Sequence, residues 1–297
     1  MPVAALAASP DDPRDGLSAP LHGLVLVSTP IGNLGDISSR ARTALATCDL
    51  ILCEDTRRTG RLLAAMDIRA RTETLHDHNE EARIESVLGR LRANETIALV
   101  SDAGTPIVSD PGYRLVRAAI AAGLPVTAIP GPNAAVTALI LSGLPPLPFM
   151  FLGFPPSKQA ARRTAFSGLR AAERAGLGCT FVWYEAPHRL LETLEDLLDV
   201  FGDRNAAVAR ELTKRFETVE RGTVSALVAL FTRESPRGEI TLLIGPPETD
   251  DPEDLDGRLR AALATQTVKD AAALVSTATG LPRKLVYARA LQIHEEG

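Results

Sequence analysis

The chain has 297 residues, of which 45% are hydrophobic and 23% charged, a composition typical of globular proteins and unlike that of disordered or fibrous chains. The formal net charge of -5 disfavours nucleic-acid binding unless Lys and Arg cluster locally. Three cysteines without zinc-site spacing disfavour a structural zinc and a full disulfide framework, so we expect a reducing compartment and no metal.

The first 21 residues lack the basic and apolar regions of a signal peptide, and we expect them to form a disordered tail. Further along, glycines and prolines interrupt the long apolar region at 118–156 before any part of it could cross a bilayer. We therefore expect a cytoplasmic protein without a membrane-spanning segment.

Residues 22–145 alternate short aliphatic runs with amphipathic stretches, which predicts an α/β domain. Strands are expected at 24–28, 50–54, 97–101 and 126–129. Helices are expected at about 38–47, 56–66, 81–91 and 112–122. Their candidate N-caps are Asp36, Asn79 and Asp110. This βαβα order implies a largely parallel sheet covered on both faces.

The pattern changes after a proline-rich segment at 144–148. Strands are expected at 149–153, 180–184, 207–211 and 240–244, separated by longer charged helices, so residues 146–246 are predicted as a second α/β domain. Prolines and acidic residues at 247–257 indicate a linker. Residues 258–297 are predicted as a small helical domain with helix-turn-helix character.

Three loops that follow predicted strands are candidates for a ligand site: STPIGNLGD at 28–36, SDAGTPIVSDPG at 101–112 and PGPNAA at 130–135. Ligands of open α/β sheets bind at the carboxyl ends of strands, where glycine permits close approach. None of these loops contains GxGxxG or a P-loop, which disfavours dinucleotides and nucleoside triphosphates. They suit a small cofactor with adenine, carboxylate and ammonium ends, such as S-adenosylmethionine.

Further motifs accompany these loops in order: CEDTRRT at 53–59, HDHNE at 76–80, FLGFPP at 151–156, YEAPHR at 184–189, ARELTK at 209–214 and GEITLLIGP at 238–246. With them the chain resembles the tetrapyrrole methylase superfamily over about 24–245, and in particular its branch that methylates a cytidine ribose in small-subunit ribosomal RNA. The resemblance implies a two-domain tetrapyrrole-methylase fold, S-adenosylmethionine in a cleft between the domains, and a homodimer. Because the acidic net charge disfavours binding to free RNA, we expect the RNA substrate to be part of an assembled ribosomal subunit.

The resemblance also implies a set of cofactor contacts. The implied residues are Pro30, Asp102, Gly104, Thr105, Ile107, Asn133, Ala134, Phe151, Leu152, Tyr184, Glu211 and Leu212. Those in the loops at 102–107 and 130–135 are expected to contact the methionine part and the ribose, and Pro30 to close the crevice. Those from Phe151 onward are expected to approach the adenine.

No spacing in the sequence identifies the proton acceptor. A ribose hydroxyl is a poor nucleophile, so a nearby base would assist methyl transfer. Asp55, Glu185 and His188 are the candidates, with Glu54 and His78 as further options. Asp55 would serve equally well as the N-cap of the following helix.

Local clusters of positive charge predict contact with RNA phosphates. The first candidates are Arg57, Arg58, Arg189 and Lys214. Other clustered cations are Arg61, Lys158, Arg162, Arg163, Arg170, Arg210, Arg215 and Arg221. The C-terminal helices could contact RNA or form a packing module.

Two alternatives stay open. The same fold could methylate a tetrapyrrole such as a precorrin, or a modified protein histidine, although the EDTRRT, HNE and YEAPHR motifs belong, by resemblance, to the ribosomal branch. A non-enzymatic nucleic-acid-binding protein built around the C-terminal helices would leave the strand-end loops unexplained. Affinity for S-adenosylmethionine distinguishes an enzyme from this second alternative.

Overall fold

The computed structural model describes residues 21–234, 236–247, 252–279 and 281–296. Contacts divide the chain into two compact units, the first ending at Ala134 and the second beginning at Ala135. Apart from Leu21, the predicted tail lies outside the described residues. The domain boundaries derived from the sequence stay predictions.

The first unit is built on a five-stranded parallel sheet of order β3-β2-β4-β1-β5. Its strands are β1 (Gly23–Val27), β2 (Leu50–Cys53), β3 (Thr72–Thr74), β4 (Thr96–Leu99) and β5 (Val126–Ile129). The predicted parallel sheet is confirmed. Strand β3 was not predicted, because a three-residue polar edge strand carries no apolar alternation.

Helices cover both faces of this sheet. They are α1 (Ser39–Thr47), α2 (Thr56–Ala65), α3 (Glu80–Arg92), which begins after Asn79 as predicted, and α4 (Tyr113–Ala121). In β2, Ile51 and Cys53 belong to the hydrophobic cluster with α1 and α2, whereas Leu50 and Leu52 belong to the cluster with α3 and α4. This two-residue alternation is why β2 is buried along its whole length.

Two predicted N-caps are wrong. Asp36 lies in a short 3-10 turn, and the side chain of Ser38 instead accepts the hydrogen bond that caps α1. Gly112, rather than Asp110, directly precedes α4. Gly112 has φ +122°, and a Cβ there would lie 2.6 Å from Leu99 Cδ2, so the close approach of loop and strand requires glycine.

The second unit contains a mixed five-stranded sheet of order β6-β7-β10-β8-β9, in which β6 and β7 are parallel and the other pairs antiparallel. Its strands are β6 (Phe149–Phe151), β7 (Thr180–Glu185), β8 (Asn205–Arg210), β9 (Thr218–Thr223) and β10 (Ile240–Ile244). Its helices are α5 (Ala134–Ser142), whose first residue closes the first unit, α6 (Gln159–Arg174), α7 (Leu190–Phe201) and α8 (Val224–Arg233). Phe166, Phe181, Trp183 and Phe201 lie in its core.

Three C-terminal helices share a hydrophobic cluster of their own, which includes Leu259, Val275, Val286 and Ile293. They are α9 (Pro252–Leu263), α10 (Val268–Thr279) and α11 (Arg283–Glu296). Helix α9 begins inside the predicted linker, because proline is favoured at a first helical position. The longest helix of the described ranges, α6, has 16 residues, and none there combines the length and apolarity that a membrane span requires.

Candidate cofactor site

In the first unit, hydrogen bonds join the loops that follow β1, β4 and β5. Thr29 and Gly104 form an isolated antiparallel bridge, with N···O distances of 2.8 and 3.1 Å. Thr105 Oγ1 donates to the carbonyl of Pro132 at 3.2 Å and accepts from Asn133 Nδ2 at 3.3 Å. The structure thus brings together the three loops that sequence analysis selected.

Glycines allow these loops to approach closely. A Cβ at Gly131 would lie 2.8 Å from the Cβ of Ser28. Gly104 has φ +81°, and a Cβ there would lie 3.2 Å from Ile31 Cγ2. The hydroxyls of Ser28 and Thr29 are buried, and they donate to Thr105 Oγ1 at 3.5 Å and to the Ser101 carbonyl at 3.3 Å, so they hold the loops together at the strand ends.

The loop after β4 has an unusual backbone conformation. Ile107 has φ 75° and Ser109 has φ 69°, in the left-handed region that a β-branched residue such as isoleucine rarely adopts. Such a conformation costs on the order of 1–3 kcal/mol and persists only where its surroundings enforce it, commonly at functional sites. Ile107 was one of the residues implied for cofactor binding.

Carboxyl groups give the same edge of the sheet a negative potential. Asp102 accepts a hydrogen bond from the backbone N of Asp55 at 3.2 Å and pairs with Arg58 at 3.2 Å, which joins the loops after β2 and β4. Burial, and then the charge of Asp102, raises the pKa of Glu54. Burial, and then the charge of Glu54, raises the pKa of Asp110 to about 6. This potential favours a ligand with a cationic group.

Asp55 caps helix α2. Its Oδ1 accepts from the backbone N of Arg57 at 2.8 Å, and its two oxygens accept from the Arg57 guanidinium at 3.1 and 2.9 Å. These hydrogen bonds lower the pKa of Asp55 to about 2. A carboxylate of such low pKa is a weak proton acceptor.

Glu185 and His188 follow β7 in the second unit. Glu185 is 2% exposed and accepts from Ala186 N at 2.7 Å, Thr193 Oγ1 at 2.6 Å and Arg189 Nη2 at 2.6 Å. These bonds hold the turn between β7 and α7, and they occupy both carboxylate oxygens. His188 lies exposed in the 3-10 turn Pro187–Arg189.

The residues implied for the adenine fall into two groups. The rings of Phe151 and Tyr184 lie edge-to-face with centroids 4.8 Å apart, and Leu152 donates its backbone N–H to Val182 O at 2.9 Å. Glu211 and Leu212 follow β8, which β10 separates from β7 in the sheet. The first group offers aromatic surface of the kind against which a purine can pack.

The four cations proposed for RNA differ in exposure. The side chains of Arg57 and Arg58 are 82% and 63% exposed. Those of Arg189 and Lys214 are 18% and 24% exposed and lie in ion pairs, Lys214 with both Glu211 and Glu239. The first two are therefore better placed to meet a phosphate.

One clustered cation was assigned wrongly. Arg162 is 0% exposed and pairs with the buried Asp196 at 2.7 Å, so it stabilises the packing of α6 on α7 and cannot contact RNA. Ser28 and Thr29 lie in a loop that the sequence identified, but their own hydroxyls, which join the loops at the end of a buried strand, were not among the predicted site residues. In the described parts of the chain, no three His, Cys, Asp or Glu side chains lie close enough together to hold a metal.

Comparison with known proteins gives two family matches. The model described as Tetrapyrrole (Corrin/Porphyrin) Methylases matches residues 23–228, and the model described as RsmI C-terminal HTH domain matches residues 249–294. Among relatives, a ribosomal RNA small subunit methyltransferase I of Micromonospora olivasterospora is 46% identical, over 93% of this chain and 89% of the relative. The protein of the same name from Escherichia coli O157:H7 is 44% identical, over 91% and 94%.

Two solved structures share the fold. The crystal structure of uroporphyrin-III-C-methyltransferase from Thermus thermophilus has a TM-score of 0.51 and 22% identity, and covers 75% of this chain and 93% of its own. That of the methyltransferase CobJ has a TM-score of 0.56 and 17% identity, and covers 75% and 94%. At these identities the likeness concerns the fold alone.

Proposed function

Because the chain belongs to the tetrapyrrole methylase family, we propose that it methylates the ribose 2′-hydroxyl of a cytidine in small-subunit (16S) ribosomal RNA, with S-adenosylmethionine as donor. One observation carries the proposal: both the methylase region and the C-terminal helices match proteins that bear the name of a ribosomal RNA methyltransferase. The cofactor, the ribose target and the residue roles below are part of the proposal.

The first unit has features that fit S-adenosylmethionine. Its joined loops bring backbone groups together for the carboxylate and ribose, and the carboxyl groups beside them suit the ammonium and sulfonium groups. The residues that would hold the methionine part and ribose are Pro30, Asp102, Gly104, Thr105, Ile107, Asn133 and Ala134. When bound, the cofactor supplies an electrophilic methyl group on its sulfonium.

The second unit would hold the adenine. Phe151 and Tyr184 supply a ring surface, and Leu152 adds an apolar neighbour on the same strand end. We retain Glu211 and Leu212 in this role, although they follow a strand that is not adjacent to β7. These side chains would bind by packing, while the first unit supplies the polar contacts.

The protein's main catalytic task is to hold the ribose hydroxyl in line with the reactive methyl, since correct positioning alone can supply much of a displacement's acceleration. Asp55 and Glu185 act in this proposal as positioning residues. Hydrogen bonds from Arg57 lower the pKa of Asp55, and hydrogen-bond donors occupy both carboxylate oxygens of Glu185. His188 is exposed and is the proposed acceptor of the hydroxyl proton.

Arg57 and Arg58 are the proposed phosphate contacts, since they are exposed and follow β2 at the carboxyl edge of the sheet. An acidic chain with local cations suits RNA already held in an assembled subunit, and a ribosomal substrate implies a cytoplasmic protein. We also propose a homodimer, which would cover apolar side chains such as Ile140 and Leu147, 72% and 79% exposed.

The experiment is in vitro methylation of small ribosomal subunits purified from cells that lack the gene, with isotopically labelled S-adenosylmethionine. Nucleoside digestion should recover the label as 2′-O-methylcytidine. Arg57→Gln should raise KM for the subunit. Arg71→Gln is the matched control. Arg71 is similarly exposed and also pairs with a carboxylate, but it precedes β3 and so lies at the amino ends of the parallel strands, away from the candidate site. Unlabelled RNA, or label in another nucleoside, would reject the proposal.

A further inference from the structure

The loop between β8 and β9, residues 211–217, presents an aromatic side chain next to a cation. Phe216 is 64% exposed. The guanidinium carbon of Arg215, which is also exposed, lies 5.5 Å from the centroid of the Phe216 ring. A phenylalanine is stabilising when it is buried, so an exposed ring at the tip of a loop suggests a surface that a partner covers.

The loop is held rigidly. Glu217 Oε2 accepts from the backbone N of Thr213 at 2.6 Å, and the backbone N–H of Glu217 donates to Lys214 O at 3.2 Å. Lys214 Nζ donates to Glu211 at 2.8 Å and to Glu239 at 3.0 Å. These bonds hold the backbone on both sides of Arg215 and Phe216, which reduces the backbone entropy lost when a partner binds.

Lys214 was predicted to contact an RNA phosphate, but in the structure it holds the base of this loop. Its ammonium is held between two carboxylates at the base of the loop, which raises its pKa through hydrogen bonds that outweigh burial. It therefore orders the loop, and Arg215 is the cation that reaches solvent. A rigid ring beside an arginine is a combination that binds unpaired nucleotides, because a base can stack on the ring while the guanidinium meets a phosphate.

We infer that Arg215 and Phe216 form a contact for one unpaired nucleotide of the RNA substrate, with the ring stacked on the base and the guanidinium bonded to the phosphate. The inference rests on the proposed function, which supplies the RNA. Arg215 is one of the clustered cations that the sequence offered for RNA phosphates, and the inference adds Phe216 and assigns the two side chains to one nucleotide.

The test measures the affinity of the full-length protein for purified small ribosomal subunits over a series of salt concentrations. Phe216→Ala should weaken binding about tenfold at every salt concentration, as expected for one lost stacking contact, and Phe216→Trp should restore it. Arg215→Gln should lower the slope of log affinity against log salt by about 0.7, the value for one single-stranded phosphate, and Arg215→Lys should keep the slope.

Ile120→Ala is the matched control, since Ile120 is an apolar side chain on α4 with 62% exposure. It should leave affinity and slope unchanged. An unchanged affinity in Phe216→Ala, or an equal loss in Ile120→Ala, would overturn the inference.

A photo-crosslinking amino acid at position 216 identifies the partner within the subunit. An adduct with ribosomal RNA is expected, whereas an adduct with a ribosomal protein alone, or with a second copy of the chain alone, would overturn the inference. Methylation by the wild-type protein distinguishes a failure of this inference from a failure of the proposed function. If it methylates the subunit while Phe216→Ala binds normally, this inference alone fails; if it neither binds nor methylates the subunit, the proposed function fails as well.

Discussion

Replacement of Glu173 by glutamine tests the energetics of the second unit. Glu173 and Arg204 form a two-bond ion pair of 2.8 and 3.2 Å, and their side chains are 0% and 4% exposed. Arg204 also donates to the carbonyls of Phe201 and Gly245. The pair therefore ties together the ends of α6, α7 and β10, the last strand before the C-terminal helices.

Glu173→Gln keeps the shape of the side chain and removes its charge. Arg204 would then be a buried cation without a counter-charge, and breaking a pair of this kind costs about 3–5 kcal/mol. We expect about 3 kcal/mol, because the amide oxygen can still accept one hydrogen bond. Glu81→Gln is the matched control: Glu81 pairs with Arg114 at 3.0 Å, but the two side chains are 79% and 56% exposed, and such surface pairs contribute about 0–1 kcal/mol.

The assay is urea-induced unfolding followed by far-ultraviolet circular dichroism. Glu173→Gln should lower the urea concentration at the midpoint of unfolding, while Glu81→Gln should leave the midpoint near its wild-type value. Equal effects of the two substitutions would refute the claim that burial sets the energy of the pair.

Three further outcomes follow from the first unit. Gly131→Ala should weaken the affinity for S-adenosylhomocysteine, measured by calorimetry, about tenfold or more, because the new methyl group would separate the loops after β1 and β5. Gly89→Ala, which has open space around it, should leave the affinity unchanged. Equal affinities of the two variants would contradict a cofactor site formed by these loops. Asp55→Asn should keep the helix cap and the activity, whereas Asp55→Ala should lower the melting temperature because it removes the cap. An inactive asparagine variant with normal cofactor affinity would reinstate Asp55 as the base. Because burial raises the pKa of Asp110 from 3.8 to about 6, the stability that Asp110 contributes should be lost as pH rises from about 4 to 6. In Asp110→Asn, the melting temperature should therefore fall less across that range than it does in the wild-type protein. The same pH dependence in both proteins would contradict the raised pKa.

The sequence was most informative where backbone geometry constrains residue type. The loops after β1, β4 and β5 could be identified because glycine, proline and small hydroxyl residues cluster after aliphatic strands, and the structure joins these loops through Thr29, Gly104 and Thr105. It was less informative where polar residues form regular structure. Strand β9 reads TVERGT and pairs with β8 throughout, yet it lacks an apolar alternation that would predict it.

Charge was the least predictable property. Arg162 and Arg57 both lie in basic clusters of amphipathic helices, yet one is buried against Asp196 and the other is 82% exposed. Which face of a helix meets the core depends on tertiary packing, and so does the partner that a buried carboxylate finds. Glu185 shows the same limit, since three donors from its own turn and the following helix could not be anticipated from its place in a motif.

The most direct measurement of the central claim is mass spectrometry of nucleosides from small-subunit ribosomal RNA of cells with and without the gene. The proposed function predicts that cells without it lose one 2′-O-methylcytidine per subunit, and that the wild-type gene restores the nucleoside. Identical nucleoside profiles in the two strains would contradict it.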